Sequence, residues 1–169
     1  ILGLGGTTLS DTHAIETAKV LNIINPDQIR VLTIGVKPGS DLDKQMTDKE
    51  FILPTESQMM SEQRLLLEQI NGITSHYANH HSVDLLLEVR GQLPQDKGRL
   101  LAILDRFLSM SPAARTHFIL GRRLGYYRIL SDMENELQYR FVEKQVKKIR
   151  QSGVDSFEQI FHDLRCRVI

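Results

Sequence analysis

Three glycines near the start of the chain, Gly3, Gly5 and Gly6, are the first residues whose type and spacing could serve chemistry. A glycine-rich turn from a strand into a helix lets a ligand approach the backbone and lie near the positive end of the helix. No lysine follows the glycines as a Walker motif requires, and their spacing does not complete the dinucleotide fingerprint. The residues alone therefore leave two interpretations open, a ligand-binding turn and a tight turn without a ligand.

A second group that could serve chemistry is formed by the histidines His76, His80 and His81. His76 and His80 would share a face if this segment were helical, because they are four positions apart. A zinc or iron site needs three or four ligands of defined geometry, and Asp84, the nearest carboxylate, is expected on a different element. The spacing therefore favours a solvated helix end over a metal site.

Basic residues concentrate in the second half of the chain, and tyrosines are interleaved with them. They are Arg115, Arg122, Arg123, Arg128, Arg140, Lys144, Lys147, Lys148 and Arg150, with Tyr126, Tyr127 and Tyr139. Cations that pair with phosphates and rings that stack on bases are the usual ingredients of RNA binding. However, Glu136 with Arg140 and Glu143 with Lys147 form i,i+4 pairs, and the formal charge of zero weakens attraction to nucleic acid. We therefore expect a solvated helix surface and keep RNA binding as the alternative.

The composition of the 169 residues indicates an ordered domain, because 41% apolar residues are ample for a packed core. The only cysteine, Cys166, cannot form an internal disulfide, which predicts a reducing, cytoplasmic setting. No apolar run approaches the length that crosses a membrane, so we predict no membrane partner.

The residues around the glycines predict alternating strands and helices. A first strand, from Ile1 to Gly6, leads into a helix that Ser10 caps and that Asn25-Pro26 ends. A second strand, from Gln28 to Gly35, is apolar on both faces, as parallel strands covered by crossover helices are. This order predicts a right-handed βαβ unit. Since the first residues already resemble a buried strand, we expect the chain to begin in mid-fold.

Local signals predict the next helix and a third strand. Residues Thr55 to Gln58 fit a capping box, and the helix that it opens carries Leu66, Ile70 and Ile73 on one stripe. Apolar and charged residues alternate from Val83 to Val89, which predicts the strand.

From residue 94 onward every segment has helical spacing. One helix spans the apolar residues from Leu100 to Leu108, and Ser111-Pro112 caps the next. Residues Ser131 to Glu134 predict a second capping box, which opens a long helix. A last helix is predicted to start between Asp155 and Glu158. The residues expected to face inward on the long helix are Met133, Leu137, Phe141, Val142, Val146 and Ile149.

The order of these pieces resembles a stretch of the radical SAM superfamily. The resemblance rests on the Gly3-Leu4-Gly5-Gly6 turn, a helix, the strand after Asn25-Pro26, and Pro38-Gly39-Ser40-Asp41-Leu42. The last of these departs modestly from the proline–glycine–threonine–leucine-like segment of that superfamily. The segment from Asn79 to Lys97 and the run from Gly121 to Tyr127 are similar to one of its subgroups. Together the matching pieces cover most of the chain.

The resemblance implies an α/β fold, a fragment of a partial TIM-like barrel of βαβ units with a C-terminal helical extension. Residues 1–93 would form later strand–helix units of the barrel, and residues 94–169 would form the helical extension packed on it. The first half of the barrel would precede Ile1. Such a fragment would expose strand edges, through which it could dimerise.

The resemblance also implies two cofactors in the intact parent protein, S-adenosylmethionine and a 4Fe-4S cluster. The cluster needs three cysteines in a CxxxCxxC loop, which this chain lacks, so neither cofactor is expected on the fragment alone. Gly3, Gly5 and Gly6 would support the adenine side of S-adenosylmethionine. Arg30 and Thr33 would contact cofactor or substrate near the carboxyl end of the second strand, where barrel active sites lie. For Arg30, a solvated charge at a strand edge is the alternative.

The activity implied for the parent is reductive cleavage of S-adenosylmethionine to a 5′-deoxyadenosyl radical, which abstracts hydrogen from an unknown small-molecule or macromolecular substrate. The fragment would supply part of the adenine pocket and of the substrate wall, and should be inactive alone. The rival hypothesis is a stand-alone interaction module whose basic helical end binds RNA or a protein. A small nucleotide-binding fold, with the glycines as its nucleotide site, is the third hypothesis.

Overall fold

The computed structural model describes residues 1–153 and 156–167, and this part of the chain is a mixed α/β fold. It contains seven α-helices, three short strands and one 3₁₀ helix. The helices are α1 Ser10–Ile24, α2 Asp41–Thr47, α3 Glu56–Gln69, α4 Lys97–Ser109, α5 Pro112–Arg123, α6 Glu136–Gln151 and α7 Phe157–Cys166. The strands are β1 Gln28–Val31, β2 His76–Asn79 and β3 Arg90–Gln92, and the 3₁₀ helix is Leu130–Glu134. None of the described helices is long and apolar enough to cross a membrane.

The three strands form one sheet in the order β1-β2-β3. β1 and β2 are parallel, with Ile29 opposite Tyr77, and β3 is antiparallel to β2, with Gly91 opposite Tyr77. Leu2 forms a parallel bridge to Thr33 and so extends the sheet beyond β1. α1 connects this N-terminal segment to β1, and α2 and α3 connect β1 to β2. The α/β class is thus confirmed, whereas the described strands form an open sheet and not a barrel.

Helices cover only one face of this sheet. On β1, Ile29 is buried while Gln28 and Arg30 are exposed. α3 lies on the buried side, since the Gln63 amide donates a 3.2 Å hydrogen bond to the Tyr77 hydroxyl. For β1 the prediction of a strand buried on both faces is therefore wrong, because no helix of the described residues covers the side of Gln28 and Arg30. Of the residues predicted to form the second apolar face, which lie after β1, Ile34 is buried and Leu32 is 37% exposed.

A single buried apolar cluster joins the sheet to the C-terminal helices. It extends from Leu2 near the start of the chain to Phe161 in α7. Leu104 and Phe107 of α4 and Phe118 of α5 are fully buried in it. The C-terminal helices therefore share a core with the strands, and a boundary at residue 93 stays a prediction.

The predicted third strand from Val83 to Val89 is wrong. The structure has a strand on either side of it, and residues 80–89 form the loop between β2 and β3. Leu85 and Leu86 are both fully buried although they are adjacent, which a strand with alternating faces does not allow. The loop turns inward instead, because the Asn79 amide donates a 2.7 Å hydrogen bond to the Leu86 carbonyl oxygen.

Two helix starts confirm the predictions made for them. Thr55 and Gln58 form a reciprocal capping box at the start of α3. The Ser111 side chain accepts a hydrogen bond from the Ala114 N–H, and Pro112 lies in the first turn of α5. Both signals are short-range, since the bonded groups lie three residues apart.

Two other predicted caps are wrong. Ser10 does not cap α1, because its hydroxyl donates a hydrogen bond to Glu62 of α3. The segment from Ser131 to Glu134 lies within the 3₁₀ helix, and Asn135 caps α6 instead. In the first case the Ser10 hydroxyl, which the local pattern assigned to a cap, is bonded to Glu62. In the second case Asn135, and not Ser131, provides the cap of α6.

The inward face predicted for α6 is correct in part. Val142 and Val146 are buried, whereas Leu137 and Phe141 are 71% and 52% exposed. Leu137 and Phe141 lie four residues apart, so they form a neighbouring stripe that faces solvent. For the last helix, the predicted start at Asp155 lies outside the described residues.

Candidate functional site

The glycine turn packs closely against its own protein surroundings. Gly3 and Gly6 have φ angles of +82° and +60°, which residues with side chains rarely adopt. A Cβ atom on Gly3 would lie 2.7 Å from Ile34 Cγ2, and one on Gly5 would lie 2.9 Å from the Leu9 carbonyl oxygen. Backbone conformation and packing are therefore sufficient reasons for glycine at these positions, and their contact with a cofactor stays a prediction.

A buried carboxylate, that of Glu62 on α3, holds the glycine turn. The Gly3 N–H donates to both Glu62 oxygens at 3.2 Å, Ser10 Oγ donates at 2.7 Å, and His13 Nδ1 lies 2.9 Å away. The Glu62 side chain is only 1% exposed. The sequence analysis did not identify Glu62. Its only signal in the sequence is that a charged residue lies four positions before Leu66 and therefore on the apolar stripe of α3.

Thr33 lies on the helix-covered side of the sheet. It is buried, and its hydroxyl donates a 3.2 Å hydrogen bond to Asp84 Oδ1. Asp84 Oδ2 accepts from the backbone N–H groups of His80 and His81 at 3.0 and 2.8 Å. Burial raises the pKa of Asp84 above its ordinary value. Thr33 and Asp84 thus tie the end of β1 to the loop after β2, and a contact of Thr33 with cofactor or substrate stays a prediction.

The opposite face of the sheet, which we call the uncovered face, presents polar side chains on all three strands. Two rows of residues cross it, Gln28, His76 and Gln92 in one and Arg30, Ala78 and Arg90 in the next. All of them except Ala78 are exposed. The two rows contain two guanidinium groups and no carboxylate, so this face is suited to bind an anionic group.

The structure divides the predicted site residues between the two sides of the sheet. The backbone bridge at Thr33 brings the glycine turn and Thr33 together on the helix-covered side. Arg30 lies on the uncovered face, where its Nη2 atom is 3.4 Å from Gln28 Oε1. The side chains of Arg30 and Thr33 therefore face opposite sides of one chain segment.

The three histidines do not lie on a helix. His76 is the exposed first residue of β2, and the exposed His80 and His81 begin the loop after this strand. The predicted helix end is therefore wrong, because the segment is extended. In the part of the chain that the structure describes, no group of three or more His, Cys, Asp or Glu residues is placed to hold a metal ion.

Two arginines of the predicted basic surface hold the loop after β2. Arg122 Nη2 donates to the carbonyl oxygens of Ser82 and Asp84 at 2.7 and 2.8 Å. Arg123 Nη1 donates to the Val83 carbonyl oxygen at 2.6 Å. These guanidinium groups bind the protein backbone and so leave few donors for RNA phosphates.

Arg123 also belongs to a buried ion group with Glu56 and Arg165. It reaches both Glu56 oxygens, at 2.7 Å for the shortest contact, and Arg165 Nη1 donates to Glu56 Oε1 at 2.9 Å. The three side chains are at most 3% exposed. This ion group joins α3, α5 and α7, and nothing in the sequence indicated it because its members are distant along the chain.

An exposed pair of aromatic rings lies beside α6. The rings of Tyr126 and Phe141 are parallel within 2°, with centroids 6.2 Å apart, and Lys144 Nζ lies 5.8 Å from the Phe141 ring centroid. Of the other tyrosines in the predicted basic surface, Tyr127 is fully buried and Tyr139 stacks on a histidine at 4.0 Å. Tyr126 and Phe141 are 36% and 52% exposed, so solvent reaches both members of this ring pair.

Comparison with known proteins assigns no family to this chain. No protein-family model, no curated protein and no solved structure matches it.

Proposed function

We propose that this chain supplies later strand–helix units of a radical SAM partial barrel, with the uncovered face on the reaction side. The observation that carries the proposal is the one-sided sheet, whose two parallel strands, β1 and β2, are covered by helices on one face and bear polar side chains on the other. In α/β barrels the helices lie outside, and reacting groups gather at the carboxyl ends of the strands. The glycine turn and the segment Pro38-Gly39, which resemble that superfamily, support the same assignment.

The open edge of the sheet beside Leu2 supports a larger assembly. A cleft of about 320 Å³ lies there between the N-terminal segment, α1 and β1, and Leu21 and Ile29 line it. Ile1 and Ile24, at the same cleft, are 58% and 62% exposed. In this proposal a further strand–helix unit of the parent covers these apolar groups, since a free strand edge is a template for pairing.

The residues present do not fit the iron–sulfur cluster of such an enzyme. The chain has one cysteine, whereas clusters of this kind are held by several thiolates. In the proposal the cluster belongs to another part of the parent, and no step through it is assigned to this chain. The Gly3 N–H is bonded to Glu62, so the glycine turn would shape a wall of the adenine pocket without donating through that group.

The role proposed for this chain is to bind and orient. In the parent, bound S-adenosylmethionine supplies the radical chemistry. Arg30 is the residue of the uncovered face best placed to bind, because its guanidinium group faces away from the helices. Within the described residues its only polar contact is the one at 3.4 Å with Gln28. It would pair with an anionic group of the cofactor or the substrate.

The experiment uses the parent protein with its cluster reconstituted under reducing conditions. The parent should release 5′-deoxyadenosine from S-adenosylmethionine. Arg30→Gln should lower the rate at least about tenfold, because a charge-assisted contact contributes roughly 1.5–3 kcal/mol. Arg150→Gln, which changes an exposed arginine of α6, is the matched control and should leave the rate unchanged. A parent without a three-cysteine loop, or without 5′-deoxyadenosine release, would contradict the proposal.

The exposed ring pair favours one alternative, an interaction module that binds single-stranded RNA. Phe141 and Tyr126 offer ring faces, and Lys144 and Lys148 follow at helical spacing on α6. Proteins bind single-stranded RNA by stacking bases on rings and by pairing cations with the backbone. If the alternative holds, the chain should bind oligouridine in a salt-dependent way, and Phe141→Ala should weaken binding about tenfold while Leu137→Ala does not. Absence of binding at low salt would reject it.

A further inference from the structure

A second cleft lies where the loop after β2, strand β3 and the segment before the 3₁₀ helix meet. Its volume is about 700 Å³, within the range of roughly 300–1,000 Å³ for small-molecule sites. Charged residues dominate its lining, namely Glu88, Arg90, Arg99, Arg128 and Asp132. We call it the arginine cleft.

Three arginines from separate parts of the fold line the arginine cleft. Arg90 is in β3, Arg99 is in α4, and Arg128 follows α5. Arg99 is fixed, because its Nε donates to Asp96 Oδ1 at 3.1 Å and its Nη2 donates to the Arg90 carbonyl oxygen at 2.8 Å. Among residues 1–153 and 156–167, the side chains of Arg90 and Arg128 have no hydrogen-bond or ion-pair partner.

The two carboxylates of the arginine cleft bind backbone groups and not arginines. Glu88 Oε1 accepts from the Leu130 N–H at 2.9 Å. Asp132 Oδ2 accepts from the N–H groups of Arg128 and Ile129 at 2.6 and 3.0 Å. These bonds fix the backbone of residues 128–130, so they position Arg128 while leaving its guanidinium group available to a ligand.

We propose that the arginine cleft binds the phosphate group of a small organic phosphate. An arginine without a protein acceptor keeps its five N–H donors, which recognise phosphate oxygens in pairs. One guanidinium group can satisfy a carboxylate, whereas the three oxygens of a phosphate monoester can accept from Arg90, from Arg128 and from the donors that Arg99 keeps beside its bonds to Asp96 and the Arg90 carbonyl oxygen. The cleft is larger than a phosphate, and the rest of the ligand lies against Leu87 and Ile129.

The arginine cleft can bind phosphate whether or not the parent has radical SAM activity. The assignment of the cleft as part of the substrate site, however, rests on that proposed function. His80 and Arg90 connect the two regions, because His80 lines both the cleft and the small depression over β1 and β2. Arg90 belongs to the second row of the uncovered face. A phosphate held by Arg90 and Arg128 would therefore place the rest of a substrate beside the reaction side.

The test is a titration of the ¹⁵N-labelled chain with ribose 5-phosphate, followed by amide NMR spectra. Saturable shifts should appear at Arg90, Arg99 and residues 128–130, and ribose should cause none. Arg90→Gln and Arg128→Gln should each raise Kd at least about tenfold, as loss of a charge-assisted contact does. Arg150→Gln removes an exposed arginine outside the cleft and should leave Kd unchanged, and unshifted amides elsewhere show that each variant is folded.

Three results would overturn the inference. They are the absence of saturable shifts at millimolar ribose 5-phosphate, equal weakening by Arg150→Gln, and binding of citrate as tight as that of ribose 5-phosphate, which would indicate a carboxylate ligand. Release of 5′-deoxyadenosine by the parent is measured separately. A chain that binds phosphate in a parent without that activity keeps the phosphate site and loses only its assignment as the substrate site.

Discussion

The helix-covered side and the uncovered face of the sheet use their polar groups differently. On the helix-covered side, Glu62 and Asp84 each bond to three groups of the protein. On the uncovered face, Arg30 has a single polar contact to the part of the chain that the structure describes, at 3.4 Å, and His76 is exposed. Buried polar groups destabilise a fold when their partners are lost, whereas exposed groups do not. The difference indicates that the first side is needed for folding and the second is free for binding.

The largest effect is expected from the buried ion group on the helix-covered side. Glu56→Ala removes the carboxylate that is ion-paired with both Arg123 and Arg165, and breaking a buried pair costs about 3–5 kcal/mol. Urea unfolding followed by circular dichroism measures the loss. Glu136→Ala, which removes the exposed partner of Arg140, is the control and should change the free energy of unfolding by less than about 0.5 kcal/mol. If the two variants lowered the free energy of unfolding equally, the buried ion group would contribute no more to stability than an exposed pair.

Glu62→Gln should have the next largest effect. A glutamine amide accepts at only one of its ends, so the Gly3 N–H loses one of its two acceptors, and Ser10 or His13 must accept instead of donate or lose its partner. A buried group left without its partner costs about 1–3 kcal/mol. The same unfolding assay applies, with Glu68→Gln on the exposed side of α3 as the control. If the two variants are equally stable, the carboxylate does not hold the glycine turn.

Asp84 allows a pH-dependent test of the same side. Burial raises its folded-state pKa, so the folded chain binds this proton more tightly than the unfolded chain does. The resulting stability is present below the unfolded pKa of about 3.9 and is lost as the pH rises through the folded value. The free energy of unfolding of the wild type, relative to Asp84→Asn, should therefore fall as the pH is raised from about 4. Urea titrations at several pH values measure it, and a constant difference would contradict the raised pKa.

The smallest effects on stability are expected on the uncovered face. Arg30→Gln and His76→Gln should each change the free energy of unfolding by less than about 0.5 kcal/mol, because neither side chain is buried. The urea assay checks both. A loss as large as that of Glu62→Gln would erase the distinction between the two sides of the sheet.

Sequence signals were sufficient where the bonded groups are close along the chain. The capping box at Thr55 and the Ser111-Pro112 cap both involve groups within one helical turn, so they are visible as short patterns. Apolar spacing likewise identified three buried residues, Leu66 of α3 and, beyond the end of this helix, Ile70 and Ile73. Such local preferences act in the same way whatever the rest of the fold does.

The features that could not be predicted from the sequence depend on contacts between residues that are distant along the chain. Gly3 and Glu62 are 59 positions apart, and Thr33 and Asp84 are 51 apart, so no short pattern reveals either pair. The alternation from Val83 to Val89 imitated a strand, although contacts from Asn79 and α5 fix it as a buried loop. The burial of β1 on one face also depends on where the helices pack, and the residues of the strand alone do not show this.

The ion group of Glu56, Arg123 and Arg165 constrains how this sequence can diverge. Loss of one arginine leaves the other paired with Glu56, but loss of Glu56 isolates both positive charges inside the fold. A lineage that replaces the carboxylate by an apolar side chain must therefore replace both arginines as well. Positions 56, 123 and 165 lie on three helices, yet a change at position 56 should be accompanied by changes at positions 123 and 165, whereas either arginine can change alone.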